Sequence, residues 1–261
     1  MKLLFVSDVH LKEHQSLEYI HFLKFLKFIL QSKNVDHLFL VGDIFDLWVS
    51  DKSIFFNHFS EVVILLQNIA EQGTKVHYFE GNHDLYINNY FKNKKNIITY
   101  NCPQTFYLNG LNLKIEHGDL INQEDYWYLK WKKIINSKSF KQWVRMCPGF
   151  FVFYLGSLLS FLSSLKNKIS FLNKKPIEKE LYEKNICKML RNYAEVKCKN
   201  EEVDIFINGH VHVADLYQYQ ASGKEKYAIN LGEWKKTPHV LSVVDKNIQL
   251  YKLDQFFLSF K

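Results

Sequence analysis

Short apolar runs that each stop at Asp, Asn or His recur five times along this chain. Their sequences are KLLFVSDVHL, HLFLVGDIFDLW, KVHYFEGNHD, LNLKIEHGD and VDIFINGHVH. Continuous apolar runs of this length, bounded by polar residues, are typical of strands that are buried on both faces. We therefore predict five strands, with polar residues just past their carboxyl ends.

Helical patterns separate the first three runs. Apolar residues recur at helical spacing after Ser16, a candidate N-cap, and they are Leu17, Ile20, Phe22, Leu23, Leu26, Ile29 and Leu30. A second helix is predicted at about residues 57–72 and ends at Gly73. Strands that alternate with helices predict an α/β layered sheet, in which functional sites gather at the carboxyl ends of the strands.

The pattern changes over residues 120–200, which are rich in aromatic residues and lysine, with no charged residue from Cys147 to Leu165. We predict a helical cap inserted into a single domain of residues 1–261. Short strands in KYAINLGEW and HVLSVVDKNIQLYKLD are expected to complete the fold of this domain. The cap has three interpretations. It could contain a transmembrane helix, which its proline, glycines and serines disfavour, or form a set of buried helices, or present an apolar face to acyl chains or a membrane surface.

Composition narrows the possible partners only slightly. The net charge is +7, but nearly every basic residue is lysine, and the arginines are Arg145 and Arg191. A lysine-biased composition explains this charge as well as a nucleic-acid or membrane partner would. The four cysteines show no C-x-x-C pairing, which argues against a disulfide framework or a zinc knuckle. Because the apolar run before Asp8 is too short for a signal peptide, a cytoplasmic protein is expected.

The polar residues at the five strand ends form a set of candidate metal ligands. The motifs are Asp8-x-His10, Gly42-Asp43, Gly81-Asn82-His83-Asp84, His117-Gly118-Asp119 and Gly209-His210-Val211-His212. Asp, Asn and His without thiolates select Mn²⁺, Fe²⁺ or Zn²⁺, and seven ligands exceed what one ion needs. Two ions roughly 3.5–4 Å apart can activate a water and hold both oxygens of a phosphoryl displacement. The neighbouring glycines are expected to let the backbone turn and to leave room for a phosphate.

This order of motifs resembles that of the calcineurin-like metallophosphoesterases over residues 1–119 and 203–235. The resemblance implies an α/β fold, a four-layer αββα sandwich, and a site for two divalent ions. One ion would be bound by Asp8, His10 and His212, the other by Asn82, His117 and His210, with Asp43 between them. It also implies that His83 faces the substrate, where an imidazolium would either stabilise the pentavalent transition state or protonate the leaving oxygen, while Asp84 holds its tautomer and raises its pKa. For Asn82 and Asp84, an Asx-type turn is the structural alternative.

The cap and several local motifs resemble one branch of that family, the UDP-2,3-diacylglucosamine diphosphatases of lipid A synthesis. GDIFDLW and NLGEW are similar to motifs of this branch, and Asp125, Tyr128 and Lys132 follow His117 at its spacing. The resemblance implies that these three residues, together with Asn167 and Lys168 in the cap, contact the substrate. The best-known members have Arg in place of His83, and Arg is common in place of Lys132. These departures weaken the substrate assignment and leave the metal ligands unchanged.

The same resemblance implies an activity and its partners. Water activated by two ions, Mn²⁺ with Fe²⁺ or Zn²⁺ as alternatives, would cleave the pyrophosphate of UDP-2,3-diacylglucosamine to UMP and 2,3-diacylglucosamine 1-phosphate. The expected partners are this acylated sugar nucleotide and the inner-membrane surface, which a cytoplasmic enzyme would bind peripherally; neither nucleic acid nor an obligate protein partner is implied. The competing hypotheses are a soluble metallophosphodiesterase or phosphatase for nucleotides or phosphoproteins, a nuclease, and a metal-bearing scaffold without turnover. The complete set of seven ligands argues against the scaffold.

Overall fold

The computed structural model describes residues 1–12, 14–172 and 176–260, with the side chains of all of these except 163, 164, 166–172, 176 and 200. The strands are β1 (Lys2–Val6), β2 (His37–Val41), β3 (Lys75–Phe79), β4 (Ile97–Tyr100), β5 (Gln104–Leu108), β6 (Leu111–Ile115), β7 (Ile205–Asn208), β8 (Asp215–Ala221), β9 (Lys224–Asn230), β10 (His239–Val244) and β11 (Asn247–Lys252). The helices are α1 (Leu17–Ser32), α2 (Ser53–His58), α3 (Ser60–Glu71), α4 (Asn88–Phe91), α5 (Tyr126–Ile135), α6 (Lys138–Met146), α7 (Gly149–Leu172), α8 (Pro176–Asn200) and α9 (Leu253–Ser259).

The strands form two mixed sheets. One sheet has six strands in the order β11-β10-β1-β2-β3-β4, and the other has five in the order β5-β6-β7-β9-β8. Strands β1 to β4 run parallel to one another, and so do β6, β7 and β9. Within each sheet, the carboxyl ends of the parallel strands therefore lie at the same edge.

The two sheets face each other across an apolar core. This core combines side chains from both sheets, among them Leu3, Phe5, Phe39, Leu113, Ile115, Ile205 and Ile207. Helices α1 and α3 pack on the outer face of the six-stranded sheet. Helix α8 covers the outer face of the other sheet, where Leu190 and Ala194 pack with Phe206 and Ala228. The layers therefore follow the predicted order helix, sheet, sheet, helix, which confirms the fold class.

Strand β1 shows why strands inside the sheets can be continuous apolar runs. Leu3 and Phe5 belong to the core between the sheets, whereas Leu4 and Val6 belong to the core under the helices. All four side chains are fully buried. Because each face of the strand has an apolar layer against it, no position requires a polar residue until the strand ends.

Helix α1 begins where the sequence predicts, and only part of its apolar pattern is buried. The Ser16 hydroxyl accepts a hydrogen bond from the Tyr19 amide at 3.3 Å, as an N-cap should. The buried residues of the helix are Tyr19, Phe22, Phe25, Leu26 and Ile29. Leu17 is 70% exposed and Ile20 is 50% exposed, so these two residues of the apolar pattern lie outside the core.

The second predicted helix is in fact two helices. Helix α2 begins at Ser53, earlier than predicted, and α3 ends at Glu71, two residues before Gly73. The break falls at Phe59, whose buried ring lies 4.6 Å from that of Phe45. Packing of this ring into the core therefore accompanies a turn that the helical periodicity did not indicate.

Helices α5 to α8 form the helical segment, residues 126–200, between β6 and β7. Among the described residues, no single helix is both long and apolar enough to cross a membrane. Lys138–Met146 and Gly149–Leu162 reach that length and composition only as a pair, and this pair is bent by 120°.

Candidate metal centre

The polar strand ends of both sheets meet at one place. Asp8 and His10 follow β1 and Asp43 follows β2, while His117 follows β6 and both His210 and His212 follow β7. The structure groups them into two clusters of possible ligand atoms that lie within 4.8 Å of one another, namely Asp8, His10 and His212, and Asp43, His117 and His210. The sequence therefore identified side chains that converge although they belong to different sheets.

In the first cluster the donor atoms point at one another. The Nε2 atoms of His10 and His212 are 3.2 Å apart. Asp8 Oδ1 lies 3.5 Å from His212 Nε2 and 3.9 Å from His10 Nε2. Two imidazoles and a carboxylate facing a common point are a donor set suited to Mn²⁺, Fe²⁺ or Zn²⁺.

The second cluster has the same character and includes Asn82. His117 Nε2 lies 3.4 Å from Asp43 Oδ2 and 3.2 Å from Asn82 Oδ1. Asp43 Oδ2 is also 3.9 Å from His10 Nε2 in the first cluster. The Asp43 carboxylate therefore lies between the two clusters, as a bridging ligand must.

The backbone at this centre is strained. Asp8, His10, Asp43, His210 and His212 all have φ between 51° and 70°. Residues with a Cβ rarely adopt this left-handed region, and each such residue costs about 1–3 kcal/mol. Because the strain falls on five of the seven candidate ligands, it is consistent with selection for a functional geometry at the expense of stability.

Two glycines allow the carboxylates to approach the backbone closely. A Cβ at Gly81 would come within 2.1 Å of Asp43 Oδ1, and a Cβ at Gly209 would come within 2.3 Å of Asp8 Oδ2. Neither distance is possible for a real side chain. The expectation that these glycines leave room for a phosphate therefore needs correction, because ligand carboxylates occupy the space beside them.

Neighbouring groups fix the orientation of two ligand histidines. His117 Nδ1 lies 3.0 Å from the Val41 carbonyl oxygen, and His212 Nδ1 lies 3.2 Å from Glu233 Oε2. An Nδ1–H that donates to either acceptor leaves Nε2 free to bind a cation. The residues therefore fit a metal centre in their supporting contacts as well as in their donor atoms.

Electrostatics at the centre also favours cations. Burial on its own lowers the pKa of His117, but the adjacent Asp43 carboxylate overrides this effect and raises the pKa to about 10. Burial likewise opposes the charge on Asp43, yet His117 holds the pKa of that carboxyl well below its usual value. Divalent ions compete with protons for the ligand atoms of such a site, so metal binding is expected to release protons.

The structure corrects the predicted role of Asp84. Its carboxylate is fully buried and accepts hydrogen bonds from the amides of Gly81, Asp43 and Ile44 and from the Tyr78 hydroxyl. The Nδ1 atom of His83 instead lies 2.9 Å from the carbonyl oxygen of Asp46. The prediction that Asp84 holds the His83 tautomer is therefore wrong, since Asp84 orders the backbone that carries the ligands.

His83 itself lies at the centre, beside His10 and Asp43. Its ring meets that of His10 edge-on, with 4.9 Å between the ring centroids, and its amide donates to Asp43 Oδ1 at 2.9 Å. The contact with the Asp46 carbonyl occupies Nδ1 of His83, and Nε2 is the other ring nitrogen.

The predicted substrate contacts occupy different environments. Asp125 is the N-cap of α5 and accepts from the Tyr128 amide at 3.0 Å. The Tyr128 hydroxyl and Lys132 Nζ both donate to Asp119, and the Tyr128 ring lies 5.9 Å from that of His210. Tyr128 and Lys132 are therefore close to the centre, whereas Asp125 is exposed at the start of a helix. Asn167 and Lys168 belong to α7, and their side chains lie outside the described part of the chain.

Three residues near the centre escaped the sequence analysis. Asp46 Oδ1 lies 3.8 Å from His10 Nδ1, Glu233 faces His212, and Ser160 of α7 donates to Asp46. Asp46 and Glu233 do lie within the motifs GDIFDLW and NLGEW, so a search for acidic residues in these motifs would have found them. Nothing in its local sequence distinguishes Ser160 from the other serines of α7.

The family to which the chain belongs follows from sequence comparison. The profile of the calcineurin-like phosphoesterase family matches residues 1–214, and the chain is therefore a member of this family of metal-dependent phosphoester hydrolases. Its curated relatives include proteins named UDP-2,3-diacylglucosamine hydrolase. The one from Wigglesworthia glossinidia brevipalpis is 27% identical over 264 residues, covering 100% of this chain and 97% of that protein.

Two further relatives carry the same name. The protein of Photorhabdus laumondii subsp. laumondii is 24% identical and covers 95% of this chain and 97% of its own. That of Vibrio parahaemolyticus is 27% identical and covers 96% and 97%, respectively. A solved archaeal phosphodiesterase aligns with 97% of this chain and 99% of its own, at 13% identity and a TM-score of 0.47.

Proposed function

We propose that this hydrolase cleaves the pyrophosphate of UDP-2,3-diacylglucosamine and releases UMP and 2,3-diacylglucosamine 1-phosphate, a step of lipid A biosynthesis. The main support is that the relatives named for this substrate align over at least 95% of this chain. The alignments therefore extend through the helical segment and are not limited to the metal motifs that the whole family shares.

The donor set supports two ions, which we propose to be Mn²⁺. When bound, they would supply Lewis acidity and a water nucleophile at neutral pH. Asp43 lies between the clusters and would keep the two ions together. We propose that His83 gives a proton from Nε2 to the departing phosphate oxygen, since the contact with the Asp46 carbonyl occupies Nδ1, the other ring nitrogen.

The helical segment supports an acylated substrate on a membrane surface. Large apolar side chains are exposed along α5 to α7, including Trp127 (76%), Tyr154 (68%) and Phe150 (61%). Residues 126–172 contain eight Lys and Arg and neither Asp nor Glu. An exposed apolar surface whose charged residues are all basic suits a membrane of anionic lipids. The aromatic rings would lie at the membrane interface and the lysines near the lipid headgroups. We propose peripheral binding to the inner membrane through this surface.

Hydrolysis of the proposed substrate tests this function. Purified protein with Mn²⁺ and mild detergent is incubated with UDP-2,3-diacylglucosamine or with bis-p-nitrophenyl phosphate, and Asp43→Asn serves as the control. We expect UMP release that is much faster than turnover of the model diester and is lost in the variant. Turnover of the model diester alone would contradict the lipid substrate and favour a soluble phosphodiesterase.

Co-sedimentation with vesicles tests the membrane proposal separately. We expect wild-type protein to bind vesicles that contain phosphatidylglycerol, and a variant with Trp127→Ser and Phe150→Ser to bind them less. The matched control is Tyr107→Ser, since Tyr107 is 74% exposed on β5, outside the helical segment. Equal binding by all three proteins, or none by wild type, would contradict peripheral association through this surface.

A further inference from the structure

Helix α7 has two contrasting faces. On one face Val152 is buried, and the Phe153 ring lies 5.7 Å from the Phe55 ring of α2. A Cβ at Gly156 would come within 2.8 Å of the Leu47 side chain, so the helix packs tightly on the loop between β2 and α2. On another face Tyr154 is 68% exposed. The helix therefore connects the exposed apolar surface to the loop that follows Asp43.

A polar contact occurs one turn after Gly156. The Ser160 hydroxyl donates to Asp46 Oδ2 at 2.6 Å. The other carboxylate oxygen, Oδ1, lies 3.2 Å from Lys12 Nζ and 3.8 Å from His10 Nδ1. The backbone carbonyl of the same residue lies 2.9 Å from His83 Nδ1. Asp46 therefore contacts α7, a candidate metal ligand and the proposed acid at the same time.

We propose that Ser160 is a positioning residue, through which the docking of α7 controls the geometry of the metal centre. Its hydrogen bond fixes one oxygen of Asp46, so the carboxylate cannot rotate away from His10 without breaking that bond. The fixed side chain in turn holds the loop whose carbonyl orients His83. The inference rests on the hydrolase activity of the centre and not on the acylated substrate.

Lys12, which also contacts the Asp46 carboxylate, would be a poor replacement for the Ser160 hydroxyl. The Lys12 side chain is 42% exposed, whereas that of Asp46 is 13% exposed. A solvated lysine on a flexible stem holds a carboxylate as a point charge and does not fix its rotation. Loss of the Ser160 hydroxyl should therefore allow Asp46 to change its orientation even though its charge stays paired.

Kinetics with bis-p-nitrophenyl phosphate test this inference, because this soluble ester has no acyl chain for α7 to contact. For Ser160→Ala we expect kcat to fall about tenfold, the lower end of the effect of losing a group that orients a metal ligand, with little change in KM. Ser160→Thr keeps the hydroxyl and should recover most of the loss. Ser157→Ala, on the same helix, should behave as wild type, and circular dichroism verifies that all variants are folded.

A double-mutant cycle shows whether Ser160 acts through Asp46. If it does, adding Ser160→Ala to Asp46→Asn should lower kcat by less than about twofold further. Wild-type kcat in Ser160→Ala, a full tenfold loss in the Asp46→Asn background, or a change only in KM for the acylated substrate would overturn the inference. Failure to cleave UDP-2,3-diacylglucosamine would refute the proposed substrate alone, because the soluble ester still reports on Ser160.

Discussion

Replacing Asp84 by Asn tests whether this residue orders the backbone or acts on His83. Its Oδ1 accepts from the Asp43 amide at 3.1 Å and from the Gly81 amide at 2.7 Å. Its Oδ2 accepts from the Ile44 amide at 2.8 Å and from the Tyr78 hydroxyl at 2.5 Å. An amide can accept only at its one oxygen, so the Asn side chain cannot satisfy all four donors.

The expected loss can be worked out from these contacts. The Tyr78 hydroxyl can rotate and accept from the new amide group, so the best orientation leaves the Ile44 N–H without an acceptor. One unsatisfied buried N–H costs about 1–3 kcal/mol, and the remaining bonds lose the contribution of the charge, so we expect a loss of about 2–4 kcal/mol in unfolding free energy. Tyr78→Phe removes a single bond to the same carboxylate and should cost about 1–2 kcal/mol.

Urea unfolding of the metal-free proteins measures these differences. We expect Asp84→Asn to be less stable than Tyr78→Phe and also to bind Mn²⁺ more weakly, because Asp84 holds the amides of Asp43 and Gly81. Wild-type stability in Asp84→Asn, combined with a large fall in kcat and a displaced pH profile, would refute this reasoning. Such a result would mean that Asp84 acts on the proton of His83 after all.

Three further predictions concern single side chains. Gly81→Ala should displace the Asp43 carboxylate and weaken Mn²⁺ binding in calorimetry, whereas Gly149→Ala should not, because its Cβ would meet the Lys52 chain at 3.2 Å and the Ile54 methyl at 3.4 Å rather than a ligand carboxylate. Glu233→Gln should lower Mn²⁺ affinity about 10–100-fold, since it weakens the support of His212; unchanged affinity would contradict that role. Burial lowers the pKa of His77 to about 3, whereas the unfolded chain takes up this proton at about pH 6.5. The contribution of neutral His77 to stability is therefore complete above about pH 6.5 and is lost as the pH falls towards 3. His77→Phe should therefore reduce the slope of unfolding free energy below pH 6.5 by at most about 1.4 kcal/mol per pH unit, and an unchanged slope would contradict this.

Burial on two faces explains which strands were predictable. Strands β1, β2, β3, β6 and β7 lie inside the sheets, so most positions of their sequences are apolar, and these strands are recognisable without the structure. The edge strands β5 and β8 alternate between partly exposed and exposed positions, and their sequences QTFYL and DLYQYQA contain no continuous apolar run. Each of these strands forms by pairing with a neighbouring strand, and its own sequence does not indicate that pairing.

The candidate site divides in a similar way. All seven predicted ligands converge, because the ends of parallel strands meet and the motifs place Asp, Asn or His at those ends. The orientation of His83 was not predictable, since its partner is the backbone carbonyl of Asp46, and any residue type could supply a carbonyl. Adjacency in sequence suggested Asp84 instead, whose side chain turns away from His83 to the amides of the loop.

Anomalous diffraction from crystals grown with Mn²⁺ would test the central claim most directly, namely that the strand ends of the two sheets build one centre for two metal ions. The account predicts two peaks per chain, one among Asp8, His10 and His212 and one among Asn82, His117 and His210, with the Asp43 carboxylate between them. A single peak, or a peak held by His10, Asp46 and His83 in place of the first, would contradict it.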